Sequence, residues 1–170
     1  VDWEIIHGNN PTLPLESLQT MMDAKLRQLE PIKYSAAELA WAETIRESFG
    51  DDAPDQAQSR EVEDYAVLTG YGSSDVGDVS RAVPTVSVRA ATWVPGTAAH
   101  SWQAVAASGH SYGTKGTQHA AKAMMLAAVE LYTNPQLREE AKAEFIAARG
   151  EDYVYESLLG DRAPPLDYRR

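Results

Sequence analysis

The chain has 170 residues, 44% of them hydrophobic and 24% charged, with no cysteine and a net charge of −10. A chain of this size can bury roughly 70% of its unfolded surface, so it needs no disulfide or metal to hold a core. Disulfide scaffolds, thiol nucleophiles and thiolate metal sites are excluded, and only His, Asp and Glu remain as metal ligands. The acidic balance and the lack of a Lys/Arg cluster argue against a nucleic-acid partner. The most apolar stretch, residues 120–131, carries Lys122 and Glu130 and is too short to cross a bilayer of about 30 Å. No signal-peptide pattern opens the chain, and a start at Val1 without Met reads as a cut. A cytoplasmic protein without a membrane span is therefore expected.

In residues 1–6 the apolar Val1, Trp3 and Ile5 alternate with Asp2 and Glu4, the period of a half-buried strand. Leu15, Leu18, Met22, Leu26 and Leu29 then recur at helical steps, with Pro14 suited to the first turn. Ser35-Ala36-Ala37-Glu38 reads as a capping box for a second helix that buries Leu39, Ala42, Ile45 and Phe49 and stops at Gly50. Residues 51–64 are acidic and hold Pro54, so they read as a solvated loop with at most a helical turn. They lack the order of a calcium loop.

Residues 65–69 are a candidate short strand, and residues 70–78, rich in Gly, Ser and Asp, a tight loop. Residues 85–94 hold many β-branched side chains and give the best strand candidate in the chain. A helix from about residue 115 to 132, apolar almost all round between 120 and 129, must be covered on more than one side. Asn134 and Pro135 start a last helix with Leu137, Ala141, Phe145 and Ala148 inward and Gly150 as its stop. Residues 151–170, with Pro164-Pro165 and a basic end, read as a surface tail. Strands followed by buried helices predict an α/β layered domain, a sheet covered by helices.

None of the four histidines, His7, His100, His110 and His119, has a partner at i+4 or in a His-x-His pattern, so no metal motif is complete locally. His100 follows the best strand candidate and can serve as a ligand or as a loop histidine bonded to a carbonyl. His119 fits a helix-interface role, and His7 and His110 read as surface groups. Asp75 and Asp78 suit carboxylate chemistry, although an Asp capping its own turn needs none. Ser73, Ser74 and Ser101 show no nucleophile elbow. Trp93 and Trp102 flank His100 as pocket walls or as packing.

Gly72-Ser73-Ser74-Asp75-Val76-Gly77-Asp78-Val79-Ser80, Val83-Pro84-Thr85, Ala91-Thr92-Trp93, residues 96–103 around His100 and His119-Ala120-Ala121-Lys122 together resemble one family. The chain is similar to the C-terminal part of aminobenzoyl-glutamate utilization protein B type amidohydrolases, in the metallopeptidase family 20 of aminoacylases, hippurate hydrolases and carboxypeptidases. Ala98-Ala99 departs from the Pro-Gly that relatives often carry. The resemblance implies that residues 1–8 end a lid and dimerisation domain and that residues 9–170 form the C-terminal part of the catalytic domain.

It also implies that His100 is a metal ligand for Zn or Mn, with Ser74, Asp75, Gly96 and Thr97 organising the site or touching substrate. Asp75 is expected to accept backbone N–H bonds within its turn and to stay off the metal. The reaction implied is attack of metal-activated water on the amide of an acyl- or aminobenzoyl-amino acid. The other metal ligands, the general base and most of the lid have no counterpart in these residues. The missing N-terminal part of the same enzyme is thus an expected partner, the whole enzyme an expected homodimer, and the chain alone inactive. The competing expectation is a non-enzymatic α/β interaction module.

Overall fold

A computed structural model describes residues 1–3, 5–50, 53–67, 70, 72, 74–164 and 166. Among them six α-helices and two short 3-10 turns form, and no strand. The helices are α1 (Glu16–Arg27), α2 (Ala36–Arg46), α3 (Val76–Ala82), α4 (Trp102–Ser108), α5 (Ser111–Thr133) and α6 (Pro135–Arg149). The expected α/β fold, with a sheet covered by helices and a last lid strand before it, is corrected by this all-helical architecture. Residues 1–3 and 5–6 are outside any helix, but Trp3, Ile5 and Ile6 are exposed, so their alternation marks no half-buried face.

Residues 85–94 lie outside any helix too, without a ladder partner among the described residues. Period-two patterning and β-branching favour an extended backbone, but only a neighbouring edge makes it a strand. The candidate strand at 65–69 includes Leu68 and Thr69, outside the described residues, as are Glu4, Asp51, Asp52, Tyr71, Ser73, Pro165 and residues 167–170.

The chain divides into two compact units. The first comprises Val1–Leu18, Val67–Val86 and Gln136–Arg170. Leu13, Leu15, Leu18, Ala141 and Phe145 are its buried apolar residues. The inward face of α6 thus runs through positions 141 and 145, with Leu137 half-buried, whereas Ala148, expected inward, is exposed in the last turn of the helix. The buried Ser80 hydroxyl accepts the Leu13 N–H at 2.8 Å and donates to the Gly77 carbonyl at 2.6 Å. Gly77 lets α3 meet the backbone of Asn10, since a Cβ there would lie 1.7 Å from the Asn10 carbonyl oxygen. The Glu144 carboxylate accepts from the Glu16 and Ser17 N–H groups and the Ser17 hydroxyl. It supplies the negative charge that the start of α1 favours. Gly150 ends α6 at φ 96.

The second unit comprises Gln19–Ala66 and Ser87–Pro135. Its core joins Ala42 and Ile45 of α2, Val94 and Tyr112 of α5, with Tyr34, Trp41, Phe49 and Ala106 packed around them. Tyr34 stacks on Tyr112 with ring centres 4.2 Å apart, and Trp41 stacks on His110 at 3.9 Å. The capping box of α2 forms as its sequence requires: Ser35 accepts the Glu38 N–H, and Glu38 accepts the Ser35 N–H. A 3-10 turn, Glu47–Phe49, follows α2, and Gly50 at φ 78 takes the left-handed stop. The acidic loop holds the second 3-10 turn, Gln56–Arg60, capped by Asp55.

α5 starts at Ser111 rather than at about residue 115, so Gly113 as well as Gly116 lies inside it. A Cβ on Gly113 would stand 2.3 Å from the Ala107 carbonyl oxygen and 2.8 Å from that of Thr92, and one on Gly116 would stand 2.0 Å from that of Ala91. These glycines let residues 91–92 and the end of α4 pack directly on the helix.

Candidate functional site

Val94 is buried, and it anchors the loop that carries His100. The Thr97 N–H and hydroxyl both donate to the Val94 carbonyl, at 3.1 and 2.7 Å. Gly96 turns at φ 94, where a Cβ would lie 2.8 Å from Pro54 and 3.3 Å from the Phe49 ring, so this turn needs glycine twice over. At the other end, the Ser101 hydroxyl accepts the Ala104 N–H at 3.2 Å and donates to the Ala98 carbonyl at 2.7 Å, capping α4.

His100 lies between these anchors, exposed, at φ 62, as the one non-glycine residue of positive φ among the described residues. Trp102 and Val105 on α4 are exposed beyond it, an apolar surface next to the imidazole in the chain, and Trp93 is half-buried. Gly96, Thr97 and His100 thus share one loop of the second unit, in which Thr97 and Gly96 shape the turn that presents the histidine.

Ser74 and Asp75 belong to the first unit. Ser74 does the capping expected of Asp75. Its hydroxyl accepts the Val76 N–H at 3.2 Å and its carbonyl the Gly77 N–H at 3.3 Å. Asp75 is exposed at the start of α3 and makes no side-chain cap bond, so its backbone takes the position and Ser74 supplies the acceptor. The next carboxylate, Asp78, accepts from the Asn10 amide at 2.6 Å and the Tyr155 hydroxyl at 3.2 Å, and the Asn10 bond holds its pKa below the ordinary range. The loop expected at 70–78 passes into α3 at Val76, because Ser74 satisfies the first-turn donors that glycine-rich composition hides.

The other histidines have local roles. His110 caps α5 by accepting the Tyr112 N–H at its Nδ1, 3.1 Å away, and stacks on Trp41, so it is a half-buried structural residue rather than a surface group. His7 is exposed beside Asn9. His119 is half-buried on α5, and burial, then the Lys122 charge, lower its pKa.

Glu38, which is buried, and Lys115, which is half-buried, form an ion pair that the sequence reading passed over. Glu38 accepts from Lys115, from the Ser111 hydroxyl at 2.7 Å and from the Ser35 N–H at 2.6 Å, and the Lys115 bond first of all lowers its pKa to about 2. The capping box located Glu38 but not its ion pair, which joins residues far apart in the chain.

Among the described residues no three His, Asp or Glu side chains gather as a metal site. A catalytic zinc generally takes three protein ligands and a water, so the described residues do not by themselves fit Zn or Mn. No described helix is long and apolar enough to cross a membrane. Comparison of the chain with protein-family models, curated proteins and solved structures finds no match.

Proposed function

We propose that this chain is one part of a cytoplasmic, metal-dependent amidohydrolase acting on acyl- or aminobenzoyl-amino acids, to which it contributes His100 as a ligand for Zn or Mn. The observation that carries this reading is the backbone of His100. A left-handed conformation costs an L-residue about 1–2 kcal/mol, and glycine in its place would remove that cost. Held between the Thr97 turn and the Ser101 cap, the imidazole stands exposed on a loop anchored at both ends, as a ligand completed by other groups requires. Backbone strain of this kind is retained where the side chain has work to do.

One imidazole does not make a catalytic metal site, and no step of the reaction is assigned to this chain alone. In this reading the remaining ligands and the general base come from the N-terminal part of the same enzyme, which forms a homodimer. Met124, Met125 and Val129 on α5 support the need for such a partner, because they leave an apolar face open to solvent. The same face is what favours the second reading, a helical interaction module without a site.

His100→Gly separates the two. In the polypeptide that carries the other ligands, bound metal and amide hydrolysis should fall by far more than the 10- to 100-fold or so that follows loss of an outer-shell partner. In the 170-residue chain the same variant should melt no lower than wild type, since glycine relieves the φ of 62. Unchanged metal content and hydrolysis would leave the interaction module as the better reading.

A further inference from the structure

Residues 30–33, between α1 and α2, and one face of α5 border an open recess of about 290 Å³. Lys115, Gln118, His119 and Lys122 come from α5 at helical spacing, so a single face presents all four, and Lys33 and Glu30 line the recess from the linker. In a chain of net charge −10, three lysines around one recess are a local reversal of sign. Lys115 is neutralised by Glu38 and also donates to the Lys33 carbonyl. Lys33 and Lys122 have no ion pair among the described residues, and Glu30 is the only carboxylate in the lining. Nothing in the proposed hydrolase reading uses these groups.

We propose that this recess binds a phosphate monoester of a small molecule. Two unpaired ammonium groups from different elements suit a tetrahedral dianion, which accepts from several directions. A planar carboxylate is matched instead by the fork of an arginine, and the lining holds none. The Gln118 amide can add a neutral donor. The volume lies near the lower end of ligand pockets, roughly 300–1,000 Å³, and leaves space beside a phosphate for an organic body against Pro31 and Ile32. Two free cations are too few for a nucleic-acid track on an otherwise acidic chain. His119 reports on occupancy, because the Lys122 charge already acts on it and a bound dianion offsets that charge.

The test follows the His119 ring resonances of the 170-residue chain by NMR while phenyl phosphate or inorganic phosphate is added at constant ionic strength. Phenyl phosphate should give a saturable shift and raise the His119 pKa, and succinate should bind more weakly. Lys33→Gln with Lys122→Gln should weaken binding about tenfold or more, while Lys142→Gln, removing a charge on α6, should leave it unchanged. Both lysines are exposed, so the double variant keeps the fold to be tested. A shift that chloride reproduces, equal weakening by Lys142→Gln, or succinate binding as tightly as phenyl phosphate would overturn the proposal. So would capture by phosphatidate vesicles without a saturable response to phenyl phosphate, which would make the phosphate that of a lipid surface.

Discussion

Glu38 shows how one side chain ties two helices in the second unit. It begins α2 as the last residue of a capping box and binds Ser111 and Lys115 in the first turns of α5. Its pKa is lowered from the ordinary 4.5 to about 2, foremost by Lys115. A group whose folded pKa is depressed stabilises the fold fully above its unfolded value and loses that contribution as pH falls through the folded one. The contribution should thus be intact at pH 7, begin to fade near pH 4.5 and be gone near pH 2. Urea midpoints of wild type and Glu38→Gln, measured from pH 7 downward, should differ most at neutral pH and converge across that window. Curves that stay parallel from pH 7 to 2 would mean that ionisation of Glu38 contributes nothing to this junction.

At the scale of elements, glycine decides how closely segments approach. Gly113 and Gly116 let the carbonyls of residues 91–92 and the end of α4 lie on α5, and the hypothetical Cβ contacts of 2.0–2.3 Å fall on backbone atoms that cannot rotate away. Gly113→Ala and Gly116→Ala should each lower stability by about 1–3 kcal/mol or more, the range for overpacking a tight contact. Gly109→Ala is the control. Its backbone is at φ −88, and the nearest atom to a Cβ is 3.8 Å away, so its midpoint should stay close to wild type. Alanine favours a helix over glycine, so unchanged or raised stability at positions 113 and 116, or a loss at 109 as large as theirs, would mean that close approach does not set these positions.

These glycines also mark the limit of what the sequence discloses. The helices with a 3.6 period, α1, α2 and α6, are legible, α2 also by its capping box, because capping and amphipathicity are local. Gly113 falls before the helix expected from about residue 115, since composition does not distinguish a residue that must turn from one that must not collide. The strand expectation at 85–94 fails for a related reason: β-branched residues state a backbone preference, but pairing is a property of neighbours. Of the candidate site, the loop around His100 is legible from its Gly-Thr and Ser signals, yet the positive φ of His100 is not. The recess at Lys33, Lys115 and Lys122 depends on which linker residues face α5, and no local pattern carries that.

For the molecule as a whole, charge and apolar surface act in opposite directions. Ala123 and Ala127 are buried on α5, while Met124, Met125 and Val129 are 58%, 63% and 55% exposed. Fully burying a side chain of this size is worth roughly 1.5–3 kcal/mol. Covering the exposed half of three such residues therefore gains a chain on the order of 2–4 kcal/mol, or about twice that for a pair of chains. Association costs an estimated 4–15 kcal/mol in lost freedom, and two chains of −10 also repel each other. The expected result is weak, reversible self-association rather than a tight dimer. Light scattering should show an apparent mass that rises with protein concentration, and more steeply in high salt, where the Debye length falls to about 3 Å at 1 M. The chain should also bind an anilinonaphthalene dye. Met124→Gln with Met125→Gln should reduce both signals, with stability changed by no more than about 0.5 kcal/mol, since exposed positions carry little of it. A dye-negative chain that scatters as a monomer at every concentration and salt level would mean that this face needs no cover. The case for a partner polypeptide would then rest on His100 alone.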